Sequence, residues 1–264
     1  MNINLPLLNF IRSKAWAITV PGIQQIASHA QSNLDIELAD CFELRPETVT
    51  TPNGTAIVHV HNALVDSCCP IYEKLGMVTC YETIMDDIED ELEEGAKRVL
   101  LVVNSPGGTV TGLREVSEFI ENLSVPSLAY CKFACSASYY VSASCSNGII
   151  ASPSAMIGNI GTILSWADTE KFWEMMGVEW KALVNKGADL KSTFHLEPNE
   201  IQLKFLQDSI NEAGEQFQNH VLKHRPNIDP EVWRAGWYSG EHAGLLGLSD
   251  AMATFDQALA AFES

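Results

Sequence analysis

Two rhythms of apolar and polar positions run along this chain. The β-branched run AIVHVH over residues 56–61 predicts a strand, and Ile84, Ile88 and Leu92, spaced by four, predict a helix over Thr79 to Glu94. The pattern continues with a buried strand Arg98 to Asn104 (RVLLVVN), a helix near Thr109 to Asn122, a short strand Ser127 to Cys131 and a small-residue helix from about Ser136. Strand Gly148 to Ala151, a helix near Ala167 to Met176 and strand Glu179 to Val184 follow. Strands alternating with helices imply βαβ units, hence an α/β fold with a mainly parallel sheet. The last third reads as helical: Pro198 suits a helix start, and Leu206, Ile210, Ala213, Phe217 and Val221 form one apolar stripe that ends before Arg225-Pro226. Ahead of the alternation, residues 1–53 hold a helix-like segment Gly22 to Gln31, a polar stretch and the turn-forming Thr51-Pro52-Asn53-Gly54. They are expected to be an N-terminal extension or cap on a domain spanning 54–264.

Composition narrows the classes. With 264 residues, 46% of them hydrophobic and 19% charged, the chain can bury a sizeable core. Sixteen Lys and Arg against 34 Asp and Glu leave a net charge of −18, which argues against nucleic-acid binding and against a polybasic grip on a membrane. Eight carboxylates crowd Glu82 to Glu94 without a basic residue, the mark of a solvated helix face. The seven cysteines lack zinc-site spacing, so free thiols in a reducing compartment are expected, with no metal and no cofactor. Arg12 and Lys14 precede the apolar stretch Ala15 to Ile23, but that stretch is short and contains Pro21, unlike a signal peptide. No apolar run approaches the roughly 18 residues of a membrane span, so a soluble, cytoplasmic protein without a membrane anchor is expected.

Two segments carry candidate chemistry. In Asn104-Ser105-Pro106-Gly107-Gly108 a strand ends in consecutive glycines, which let the backbone approach a ligand with its N–H groups exposed, as an oxyanion requires. The alternative is a tight strand-to-helix turn. Further on, Cys135-Ser136-Ala137-Ser138-Tyr139-Tyr140 again lies where a strand gives way to a helix. Ser136 there is a helix N-cap or, paired with the glycines upstream, a nucleophile. The chain has no histidine between His61 and His195, so a Ser-Lys dyad is the natural alternative: a lysine desolvated by apolar surroundings takes the hydroxyl proton. From Asn122 to Ala167 the only charged residue is Lys132, and Lys191, in the loop Asn185 to Ser192, is the preferred base.

Ser-Pro-Gly-Gly, Cys-Ser-Ala-Ser-Tyr-Tyr, Met156 to Gly161, Gly187 to Lys191, Tyr238 to Ala243 and Gly247 to Asp250 occur in an order that resembles the signal peptide peptidase A family. Within it, the chain is most similar to the soluble phage and prophage head-maturation proteases, over roughly residues 56 to 260. The resemblance implies a ClpP/crotonase-type β-α spiral with C-terminal helices and a serine endopeptidase with Ser136 as nucleophile and Lys191 as general base. It also implies oxyanion donors at the N–H groups of Gly108 and Ala137, and a substrate groove lined by Gly107 and by Gly158, Asn159, Ile160 and Gly161. The chain differs from the family in having Ala137-Ser138 after Ser136, which offers Ser138 as a second hydroxyl, and Lys186 is a second candidate base. A polypeptide substrate, with phage capsid or scaffold proteins or membrane-derived peptides among the possibilities, and a ring-like homo-oligomer follow by the same resemblance. A crotonase-type acyl-CoA enzyme, a Ser-His-Asp peptidase using His195 and a non-catalytic assembly protein are the competing readings.

Overall fold

The computed structural model describes residues 16–18 (backbone only), 46–67, 72–73, 76–166, 169–191 and 197–264. The helix expected over Gly22 to Gln31, together with His195, Cys41, Cys68 and Cys69, lies outside the described residues.

Strands β1 (Trp16–Ile18), β2 (Val49–Thr50), β3 (Thr55–His61), β4 (Ala63–Val65), β5 (Val78–Cys80), β6 (Arg98–Ser105) and β7 (Gly107–Thr109) precede β8 (Ser127–Cys135), β9 (Ile149–Gly158), β10 (Trp237–Ser239) and β11 (Ala251–Met252). The helices are α1 (Tyr81–Glu93), α2 (Leu113–Glu121), α3 (Ala137–Ala143), α4 (Glu170–Met175), α5 (Glu200–His224), α6 (Gly240–Leu245) and α7 (Phe255–Glu263). The main sheet runs β10-β9-β8-β6-β3-β2, with β3, β6, β8 and β9 mutually parallel, and a smaller sheet runs β1-β7-β4-β5. The mixed α/β architecture with a mostly parallel sheet is the one the β/α alternation predicts.

Strand β6 is apolar at successive positions because both its faces are covered. Val99, Leu101 and Val103 join the core beneath α1, α2 and α3, while Leu100 and Val102 pack with Leu128, Tyr130 and Ala258 of α7 on the other face. The turn at 51–54 closes with the Gly54 N–H donating to the Thr51 carbonyl at 2.9 Å, and its strand partner register follows in β2 and β3. Helix α5 starts with a capping box in which the Asn199 side chain accepts from Gln202 and the Gln202 side chain accepts from the Asn199 N–H.

Three expectations change. The strand foreseen over Glu179 to Val184 is absent: these residues are irregular and exposed, since no sheet edge pairs with them. Strand β8 runs to Cys135 rather than Cys131, through a bulge at Lys132 that leaves this residue exposed. The one charge in the apolar belt is thereby turned to solvent. Cys80 is disulfide-bonded, which departs from the expected free thiols, whereas Cys131, Cys135 and Cys145 are buried free thiols.

Helix α5 is tied to the sheet by Arg225, just past its last turn, whose guanidinium donates two hydrogen bonds to the Asp250 carboxylate, at 2.5 and 2.8 Å. Burial alone would raise the Asp250 carboxyl, but the Arg225 guanidinium and the Ile149 N–H outweigh it and hold the group below the usual carboxylate range.

Candidate active site

The carboxyl ends of the parallel strands β3, β6, β8 and β9 lie along one edge of the sheet, the usual location of sites in parallel α/β folds. Ser136 stands there, between β8 and α3, with φ 58° and ψ −123°. A side chain at that backbone conformation is strained, and such strain costs of order 1–3 kcal/mol and gathers at functional sites. The residue is held by its N–H, which donates to the Gly158 carbonyl at 2.8 Å. Although Ser136 is the N-cap of α3, its hydroxyl does not cap; it donates instead to the Gly161 carbonyl at 3.3 Å. Ser136 is fully buried.

Its neighbours are inert by construction. Ser138, the second hydroxyl, is fully buried and lies 2.8 Å from the Ser105 carbonyl and 2.9 Å from that of Cys135, so its proton is engaged. Burial pushes the Cys135 thiol up to about 12, which suppresses the thiolate that would make it a nucleophile.

The segment Gly158 to Gly161 meets Ser136 at both its ends. Gly158 has φ 130°, and a Cβ there would fall 2.6 Å from the Gly236 carbonyl oxygen, so only glycine fits. Asn159 anchors the turn through its N–H to the Gly236 carbonyl at 2.7 Å and its side-chain amide to the Ala235 carbonyl at 3.0 Å. Ile160 is buried in the core.

Gly107 and Gly108 are not in a strand-to-helix turn but form β7 of the small sheet; α2 begins only at Leu113. Gly108 lies opposite Leu64 on one side and Ala17 on the other, and a Cβ on it would stand 1.9 Å from the Leu64 carbonyl oxygen. Helix α3 packs against β7, which brings this strand beside the Ser136 junction. As the first residue of α3, Ala137 has an N–H without an intrahelical acceptor.

The hydrogen bond that the Ser136 hydroxyl makes is to the Gly161 carbonyl and not to Lys191. Lys191 lies in an exposed irregular segment, where its N–H donates to the Ala188 carbonyl and its own carbonyl accepts from Gln202 of α5. Thr162, next to Gly161, bonds to the carbonyl of Ile210, eight residues further along α5. Lys186 is likewise exposed. His61 ends β3, two strand spacings or about 10 Å from β8 in the sheet.

A cleft of about 280 Å³ lies one helical turn from Ser136, between the stretch after β7 and the middle of α5, with Val110, Leu113, Tyr140 and Phe217 as its apolar wall. Among the described residues, no helix is long and apolar enough to cross a membrane.

The description Peptidase family S49 matches residues 122–264, which include the Ser136 junction, the 158–161 turn, α5 and the C-terminal helices. The chain belongs to peptidase family S49. It is 29% identical over 189 residues to a protein of Methanocaldococcus jannaschii named as a protease, an alignment covering 69% of this chain and 60% of the other. It is 33% identical over 197 residues to a protein of Enterococcus faecium named as the signal peptide peptidase SppA, covering 71% of this chain and 55% of that one. The matched part thus amounts to little more than half the length of these relatives. Among solved structures, the membrane-bound stomatin-specific protease 1510-N, a lysine-to-alanine mutant with a substrate peptide, superposes with a TM-score of 0.48 and 13% identity over 77% of each chain.

Proposed function

We propose that this S49 chain is a serine endopeptidase in which Ser136 and Lys191 form the catalytic dyad. The observation that carries the reading is Ser136 itself, a strained, buried serine at the end of a parallel strand whose hydroxyl is kept off its own helix and aimed at the 158–161 turn. In the competent state neutral Lys191 takes the hydroxyl proton, Ser136 Oγ attacks the scissile carbonyl, and the N–H groups of Gly108 and Ala137 hold the oxyanion. Lys191 then protonates the leaving amine, and water hydrolyses the acyl-enzyme. The exposed 185–191 segment has to close toward the strand ends for this. Its neighbourhood exposes Trp166, Phe172, Met175, Trp180, Leu183 and Phe205, apolar surface that supports closure of the segment beneath a second copy of the chain in a ring.

The substrate is a polypeptide in extended conformation, with Gly107 and Gly158 to Gly161 as its groove and an apolar side chain seated in the cleft walled by Tyr140 and Phe217. Phage capsid or scaffold proteins remain the substrates that the resemblance to head-maturation proteases favours. Incubation with such polypeptides, with products read by mass spectrometry, tests the reading; new termini absent from a Ser136→Ala control support it, and unchanged polypeptides contradict it.

Strand β1 covers the edge of β7 that an added peptide strand would use, with Ala17 opposite Gly108. The chain's own residues 16–18 therefore compete with substrate. Proline disfavours a strand, so Ala17→Pro weakens β1; a loss of about 1–2 kcal/mol of strand pairing raises kcat/KM roughly 5–30-fold. Steady-state kinetics on a fluorogenic peptide checks this; an unchanged or lower kcat/KM removes β1 as a competitor.

A further inference from the structure

Away from the Ser136 junction, three potential metal ligands converge where the end of α2 meets the last turn of α5. His220 and His224 are four residues apart on α5 and so share one face. Glu121, the last residue of α2, points between them: its Oε1 is 3.6 Å from His220 Nδ1 and 2.7 Å from His224 Nε2. All three ligand atoms lie within 4.8 Å of one another. A tetrahedral zinc ion with bonds of about 2.0–2.1 Å holds its ligand atoms about 3.3–3.4 Å apart, so modest side-chain rotations convert this cluster into a coordination shell.

The other nitrogen of His220 fixes the direction of its lone pair. His220 Nε2 is 3.0 Å from the Tyr140 carbonyl oxygen, which can only accept, and 3.3 Å from the Ser144 hydroxyl, which can donate or accept; the shorter contact is a hydrogen bond when Nε2 carries the hydrogen. In the neutral ring Nδ1 then presents a lone pair to a carboxylate oxygen, and two acceptors face each other across 3.6 Å unless a proton or a metal cation stands between them. A ring N–H donated to a backbone carbonyl is also the outer hydrogen bond that orients metal-binding histidines. Tyr140 stacks on the same ring with centroids 3.6 Å apart, holding its plane. Lys223 occupies only the second carboxylate oxygen, Oε2, and leaves Oε1 to the histidines. An open cleft bordered by Glu121, Ser144, His224 and Asp250 gives an ion a path from solvent.

We propose that Glu121, His220 and His224 bind one divalent ion of borderline softness, zinc, with water completing the shell. Two imidazoles and one carboxylate are the donor set such an ion prefers over the oxygen-only cages of magnesium or calcium. The ion would clip α2 to α5 and, through the His220-to-Tyr140 hydrogen bond, to α3, the helix that begins beside Ser136. This site does not depend on the peptidase reading.

The test uses the full chain, purified without a polyhistidine tag and stripped with a chelator. Zinc titrated in competition with a chromophoric indicator is expected to bind one ion per chain, and cobalt(II) at the site to show the intense visible absorption of a tetrahedral complex. Zinc at about 100 times its Kd raises Tm by roughly 5 °C or more. His224→Ala, at a partly exposed position, is expected to fold as the parent does, to weaken binding by at least about 100-fold and to abolish the Tm shift. His242→Ala, on α6, leaves all three readouts unchanged, and Glu121→Gln reproduces the loss. Absence of stoichiometric zinc binding, or equal binding by the parent and His224→Ala, overturns the proposal.

Discussion

Replacing Ser136 with alanine is expected to lower peptide-bond cleavage by at least about 10⁴-fold while the fold stays intact. The two effects separate because the hydroxyl contributes little to stability. Its one hydrogen bond, to the Gly161 carbonyl, is long at 3.3 Å, and losing a bond of that kind costs about 1 kcal/mol or less. Alanine keeps the Cβ and therefore the strain at φ 58°. Glycine relieves it, so Ser136→Gly is expected to be equally inactive yet to melt higher than Ser136→Ala. Thermal melts and cleavage rates of the three proteins, measured side by side, check both halves. Parent-level cleavage by Ser136→Ala would end the assignment, since the neighbouring Ser138 hydroxyl is engaged with main-chain carbonyls and the Cys135 thiol is suppressed by burial.

Lys191→Ala is expected to reduce kcat by about 10²–10⁴-fold, the range for loss of a general base, with Tm unchanged because the side chain is exposed and makes no tertiary hydrogen bond among the described residues. Lys186→Ala should retain most activity. The contrast is sharp because both lysines lie on the same exposed stretch, so a difference between them reflects the chemistry rather than stability. Inactivity of Lys186→Ala with an active Lys191→Ala would transfer the base to Lys186. Full activity in both would remove the dyad.

The sequence carried the parts of the fold that rest on local pattern. The unbroken apolar run of β6 and the four-residue spacing in α1 are local consequences of burial, and both elements stand within two residues of their expected ends. Ser136 was legible as a strand-to-helix junction because β8 and α3 are adjacent in sequence. Long-range pairing was not legible. Nothing local shows that Gly107-Gly108 forms a strand of a second sheet, because the reason for Gly108 is the Leu64 carbonyl, 44 residues upstream in the chain (108 − 64). Glu179 to Val184 has strand-like composition but no edge to join. The His220 and His224 pair has a helical spacing that sequence reasoning passed over, and Glu121, separated from His224 by 103 positions, completes the cluster only through the packing of α2 on α5.

The chain's strained serine is the centre of the account, and a serine-directed covalent probe addresses it without any knowledge of the natural substrate. Fluorophosphonate labelling of the parent and of Ala17→Pro, read by intact mass and peptide mapping, is predicted to place one adduct on Ser136, faster in Ala17→Pro where the covering strand is loosened, and none in Ser136→Ala. Ser136 left unlabelled in both proteins, or an adduct confined to another residue, would contradict it.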